Sequence, residues 1–424
     1  MSLNGATIMN IKNTFKIALS LGLVSLSLFS CSRKIDDTIL QASKASIESV
    51  GVESGKSSEG EYIVKRRGLS YLEGDSSFQS KFGATILKTI KPLLINVVKI
   101  DDPSNVEKMK TDSSIEYIEP NYIRSMKIQS AEVSTAGSGV STSSVQKASI
   151  MKANSIYRGK SFINVAVVST GVDLKHPDLR NKLVTGHSAF SEEDSAQDVN
   201  GVGTSQAGLI VASNASAGVY GVAPDCKVMP IKAMNQDGLI KDSNLIDGVT
   251  WAIDHGASVV TFTAEGDKPS KALDEMIKYA YTKKVPLIVG SGDNKSGAAS
   301  YPASSKGVIA VSSIGSDNRT SNSNTGEWVS VSAPGANIVS ISSTQNSKIP
   351  ANYALMSGSP IAAAYVAGEM ALIKSKYPTL DMLGLRNHLE LTSDDLGKPG
   401  PDDQTGFGRT NLVRSLSTLP PKKK

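Results

Sequence analysis

The stretch Asn164-Val165-Ala166-Val167-Val168-Ser169-Thr170-Gly171-Val172-Asp173 decides the fold. Its first half is a near-continuous apolar run, not an alternating one, and it stops at Ser-Thr-Gly. A strand buried on both faces reads this way, because each face must meet a hydrophobic layer. The same texture returns at residues 227–233, 258–262, 286–290, 308–312 and 329–331. Between several of these runs, residues 244–252, 271–282 and 361–374 carry helical spacing. Apolar strands alternating with helices predict a parallel sheet covered on both faces, an α/β domain over residues 149–416. Ligands of such sheets bind beyond the carboxyl ends of the strands.

Upstream the pattern changes. Residues 61–66 alternate as a strand, 76–82 suit a short helix, and 93–100 form a second strand. A further helix follows Asp102-Pro103, and residues 115–120 close a strand. This predicts a small α+β unit over residues 61–127. Residues 128–148 are rich in Ser, Thr, Gly and Ala and read as a linker. Residues 31–60 are polar and read as a tether. Residues 417–424 end in Lys422, Lys423 and Lys424, a solvated basic tail.

The first 30 residues have the form of an export signal. Lys12 and Lys16 precede an apolar segment, residues 17–29, too short to span a bilayer comfortably. It ends in Leu28-Phe29-Ser30-Cys31, which resembles a bacterial lipobox. That resemblance implies cleavage after residue 30, a lipid on Cys31 and a place in the bacterial cell envelope. Ser32, not Asp, follows the cysteine, which by similarity to Gram-negative lipoproteins implies the outer membrane. Cys226 is the second of two cysteines, so no disulfide framework exists unless these two pair. Hydrophobic residues make up 39% and charged residues 20% of the 424, a globular composition. The net charge of +5 is small and dispersed, which argues against nucleic acid as a partner.

Several stretches resemble the subtilase family, the subtilisin-like serine proteases of peptidase family S8, in the family's order. Residues 165–173 with His176-Pro177-Asp178-Leu179 resemble the strand that delivers the catalytic aspartate. Asn200-Gly201-Val202-Gly203-Thr204 resembles the start of the histidine helix, and Ser332-Ala333-Pro334-Gly335 a further signature. Ser357-Gly358-Ser359-Pro360-Ile361-Ala362, running to Val366-Ala367-Gly368, resembles the nucleophile helix. The resemblance implies a subtilisin-like three-layer domain. It also implies that residues 61–127 are a ferredoxin-like prodomain of the inhibitor I9 type.

Peptide hydrolysis on this fold needs a hydroxyl nucleophile, an imidazole base, a carboxylate that orients the base, and donors for the oxyanion. By the resemblance, the aspartate position holds Ser169, the histidine position Val202 and the nucleophile position Pro360. The oxyanion donor, an Asn in the family, is Asp293, which when ionised only accepts hydrogen bonds. A one-residue shift would place Asn294 there instead. Proline suits the first turn of a helix, and Ser359 before it is expected to cap that helix. Residues Phe262, Thr263, Ala264, Glu265 and Gly266 match the strand that pairs with an extended peptide in active relatives. Glu265 and Asp293 make that cleft acidic.

These residues imply a catalytically inactive subtilase-like protein on a lipid anchor that binds an extended peptide or protein. Its own prodomain is a partner in cis, with residues 121–126 in the cleft. The alternatives are an active serine endopeptidase with another catalytic arrangement, and a structural envelope lipoprotein. No cofactor is implied. Subtilases often bind calcium, but no acidic loop in this sequence is specific enough to assign such a site.

Overall fold

The computed structural model describes residues 56–68, 76–132, 144–193, 195–214, 219–318, 322–345 and 352–421. The export signal, Cys31 and most of the expected tether lie outside the described residues.

The N-terminal unit is β1 (Ser57–Arg66), α1 (Ser76–Phe82), β2 (Ala84–Ile90), β3 (Ile95–Ile100), α2 (Pro103–Thr111) and β4 (Ile115–Ser125). Its antiparallel strands lie in the order β4-β1-β3-β2. Strand alternation divides the side chains between two layers. Val64, Val98 and Ile100 pack under α1 and α2 with Phe78, Phe82 and Met109. Ile63, Ile95, Val97 and Tyr117 join the core of the larger unit. Asp102 caps α2, its carboxylate accepting the Ser104 N–H at 2.9 Å. Strand β2 is absent from the sequence reading. It is an edge strand with a register shift between Ile86 and Lys88, so its alternation is broken. Lys88 leaves the pattern to pair with Asp247 of the larger unit at 2.8 Å.

Two expected boundaries move. Strand β1 starts at Ser57, inside the expected tether. Inside the expected linker, Gln129–Glu132 form a strand, β5, and α3 (Ser144–Ile156) begins. Backbone pairing needs no apolar side chains, so the polar composition of residues 128–132 concealed the strand.

The larger unit continues with β6 (Asn164–Ser169), β7 (His187–Ser188), α4 (Val202–Val211), β8 (Ser213–Asn214), β9 (Val219–Tyr220) and β10 (Lys227–Lys232). Then come β11 (Leu239–Lys241), α5 (Asp242–Asp254), β12 (Val259–Phe262), α6 (Lys271–Thr282), β13 (Leu287–Gly290) and β14 (Ile309–Ile314). Strands β15 (Val331–Pro334), β16 (Ile338–Ile341) and β17 (Tyr353–Ser357) lead to α7 (Ser359–Lys376), α8 (Met382–Leu391) and α9 (Leu412–Ser417).

Seven strands form the parallel sheet, in the order β15-β14-β13-β12-β6-β10-β7. Helices α4 and α7 pack together against the sheet, and α5 packs against α6, making three layers. Helix α7 is buried along nearly its whole length, which is why its sequence is predominantly apolar and has no polar face. Among the described residues, no helix is long and apolar enough to cross a membrane.

Candidate active site and peptide cleft

Three elements converge beyond the carboxyl ends of the central strands. Strand β6 ends at Ser169, which is buried with its hydroxyl unpartnered. Helix α4 begins at the buried Val202, directly after Gly201 at φ 104°. Gly203 allows that helix to press on the end of β6. A Cβ there would lie 1.9 Å from the Gly171 carbonyl oxygen and 3.3 Å from Ser169 Cβ. Further along α4, Gln206 Nε2 donates to the Pro360 carbonyl at 3.1 Å. Helix α4 therefore ties the β6 terminus to the first turn of α7, and Ser169, Val202 and Pro360 share one edge. None of them can ionise near neutral pH.

The histidines are engaged elsewhere. His176 Nδ1 accepts the Asp178 N–H, His187 stacks on Trp251 and meets Asp247, His255 stacks on Trp251, and His388 meets the Ser415 carbonyl. Burial pushes the Asp173 carboxyl up, but hydrogen bonds from Thr344, Lys175 and Gln197 outweigh it and hold the carboxyl below its ordinary range. That pattern suits a structural acid.

Asp293 does not face an open hole. Its oxygens accept the Ser359 N–H at 3.0 and 2.9 Å, and the Ser359 hydroxyl donates to Oδ2 at 2.9 Å. The Gly292 N–H in turn donates to Ser359 Oγ at 3.0 Å. The expectation that Ser359 caps α7 is corrected here. Ser359 is itself the first helical residue, Gly358 holds the N-cap place, and the capping group is the Asp293 carboxylate. A negative group at a helix N-terminus meets unpaired N–H groups and the positive end of the dipole. Burial pushes the Asp293 carboxyl up to about 6, against hydrogen bonds from Ser359 and Ser323.

Glu265 is buried beside it. Its Oε1 accepts the Asp293 N–H at 2.8 Å, and Oε2 accepts from Asn294 Nδ2. Burial first, and then the Asp293 charge, pushes Glu265 up to about 7. Asn294 is thereby committed to Glu265, and its Oδ1 accepts from Lys127 Nζ. It is not turned toward α7 as the shifted register would require.

The cleft is occupied by the chain itself. Ile123, Arg124 and Ser125 pair with Lys241, Ile240 and Leu239 of β11. On the opposite side the Ser125 N–H donates to the Glu265 carbonyl at 3.1 Å, and the Glu265 N–H donates back at 2.7 Å. The Met126 N–H donates to the Gly238 carbonyl at 2.9 Å. Beyond Lys127 and Ile128, β5 pairs antiparallel with β17, Gln129 lying opposite Ser357. Lys127 passes the N-terminus of α7 between these two ladders. A Cβ on Gly358 would lie 3.1 Å from Asp293 Oδ2, 3.1 Å from Pro360 Cδ and 3.5 Å from the Lys127 carbonyl oxygen. Of the five expected cleft residues, Glu265 and Gly266 meet this segment, whereas Phe262, Thr263 and Ala264 are buried.

Residues 160–408 match the model of the subtilase family, Peptidase_S8. The chain belongs to the subtilase family. It is 30% identical over 411 residues to a thermophilic serine proteinase of Bacillus sp. (strain AK1), covering 95% of this chain and 99% of that one. It is 36% identical over 246 residues to subtilisin DY of Bacillus licheniformis, covering 57% of this chain and 86% of that one. Among solved structures, fervidolysin from Fervidobacterium pennivorans, described as a keratinolytic enzyme related to subtilisin, superposes with a TM-score of 0.74 at 26% identity. That match covers 90% of this chain and 66% of fervidolysin. The family is one of serine endopeptidases, and its fold is the three-layer α/β arrangement seen here.

Two features escaped the sequence reading. Arg124 is the largest fully buried side chain among the described residues and forks onto Asp242, 118 residues away. Glu369 of α7 is fully buried. Neither has a local signal, because burial of a charge depends on what the rest of the chain places around it. Among the described residues, no group of three or more His, Cys, Asp or Glu is placed to hold a metal ion.

Proposed function

We propose that this chain is a catalytically inactive subtilase. Its cleft is held by its own N-terminal unit, and it acts by binding a peptide or protein at that cleft. The observation that carries the reading is what the backbone at Lys127 meets as it passes the first turn of α7: Gly358, Pro360 and the Asp293 carboxylate, with no hydroxyl nucleophile at Pro360. In an active relative the backbone there would meet a hydroxyl, an imidazole and oxyanion donors. Here Pro360 has neither hydroxyl nor N–H, Val202 cannot take a proton, and Ser169 cannot supply a negative charge. Asp293 adds an acceptor where a donor is needed, and loss of one such donor costs about 2.7–4 kcal/mol. Kinship of fold does not carry activity with it.

Residues 61–127 stand as the prodomain on this reading, kept covalently attached because nothing cuts it free. A lipid on Cys31 would hold the whole at a bacterial envelope membrane. The filled cleft also suits a purely structural envelope lipoprotein, and exchange of the tail for an added peptide separates the two.

The test is the intact mass of the purified full chain after fluorophosphonate treatment, with a general peptidase assay beside it. One uncut, unlabelled and inactive species is expected. Cleavage after Lys127 together with labelling would mean that another nucleophile operates, and the inactive reading would be abandoned.

A further inference from the structure

The occupied cleft carries a record of the side chain it is built to receive. Arg124 lies on the segment that pairs with β11, yet the acceptors of its guanidinium come from the larger unit. Nε and Nη2 donate to the two oxygens of Asp242, Nη2 at 2.8 Å. Nη2 also donates to the Lys268 carbonyl at 3.0 Å, and Nη1 donates to the Tyr301 carbonyl at 3.2 Å. Gly266 forms the remaining wall, where a Cβ would lie 2.6 Å from Nη1. The Tyr301 N–H donates to the Gly266 carbonyl at 2.8 Å, which holds the wall and one acceptor together. Arg124 is 1% exposed and Asp242 0%.

This is a planar recognition site. A carboxylate and two carbonyls match the fork of a guanidinium, and a lysine ammonium, being a point charge, cannot satisfy all three. A neutral side chain would leave Asp242 buried and unpaired, which is costly. We propose that the pocket of Asp242, Lys268, Tyr301 and Gly266 is an arginine subsite. The cleft's ligand in trans is then an extended peptide with arginine three residues before the residue that crosses Gly358. This rests on the reading of the cleft as a peptide-binding site. Lys127, at that crossing, donates to Asn294, so the chain's own segment has the pattern Arg-x-x-Lys.

The test uses the full chain with Arg124→Ala, or Arg124→Gln should the first not fold. The probe is a labelled peptide of residues 124–131, and its control carries glutamine in place of the arginine. Ethylguanidinium, read by thermal shift against ethylammonium, is a second probe that fills the vacated pocket without displacing the tail. The arginine peptide is expected to bind at least about 100-fold more tightly than the glutamine peptide, a preference that vanishes when Asp242→Asn is added. Ethylguanidinium alone should raise the melting temperature. Equal affinity for the two peptides, or response to neither probe by a folded variant, overturns the subsite. Mass analysis of the peptide after incubation keeps the two readings apart. Cleavage of its Lys-Ile bond would end the inactive reading while leaving the arginine preference intact.

Discussion

The Asp293 carboxylate grips the start of α7 through Ser359, with Oδ2 2.9 Å from both the main-chain nitrogen and the hydroxyl oxygen. The carboxylate thereby caps the helix. Asp293→Ala is therefore expected to lower stability by about 1–2 kcal/mol, measured by denaturant unfolding. An unchanged midpoint would mean that the contact contributes nothing.

On the proposed reading, installing the missing chemistry should produce a cut. The quadruple variant Ser169→Asp, Val202→His, Pro360→Ser and Asp293→Asn is expected to cleave its own Lys127-Ile128 bond, giving two fragments by intact mass. Variants that keep Pro360 should stay whole, because nucleophile and base act as a unit. Cleavage at a different bond would show that the register of the tail in the cleft differs.

The N-terminal unit also caps a helix of the larger one. Glu119 accepts the Ser270 hydroxyl at 2.7 Å and the Lys271 and Ala272 N–H groups at 2.9 and 3.0 Å, at the start of α6. Glu119→Ala should cost about 1–2 kcal/mol, and Glu119→Gln should recover part of it. Hydrogen exchange across β1 and β4 should rise in the alanine variant. Unchanged exchange there would mean that the contact does not hold the unit down.

Glu369 predicts an unusual pH dependence. Burial pushes its carboxyl from an ordinary 4.5 up to about 7. Glu265 moves the same way, also to about 7, and Asp293 to about 6. For such groups the unfolded chain ionises first while the folded chain keeps its proton. Their contribution is full below the unfolded value and is lost as pH rises toward the folded one. The melting temperature should accordingly rise as pH falls from about 7.5 to about 5. Glu369→Gln should flatten that slope, and a slope unchanged in the variant would remove Glu369 from the account.

Cys31 is expected to carry the anchor. In a Gram-negative host, the full chain should take up labelled palmitate and sediment with membranes, and Cys31→Ala should do neither. Label on the alanine variant would place the lipid elsewhere.

Much of this molecule was legible before it was folded. The unbroken apolar runs at residues 165–168 and 287–289 encode a doubly covered parallel sheet, because each face of such a strand must meet a hydrophobic layer. Proline at residue 360 settles by itself that no hydroxyl stands there, since that is a covalent fact needing no neighbours. Strand β2 was hidden because Lys88 serves a partner in another unit. Strand β5 was hidden because main-chain pairing leaves no mark on composition. Folding alone creates the relationships between distant residues: Asp293 capping α7, Arg124 forked onto Asp242, and the tail threaded between Glu265, β11 and β17. Hydrogen bonds and buried charges depend on distance and on exclusion of water, and a sequence records neither.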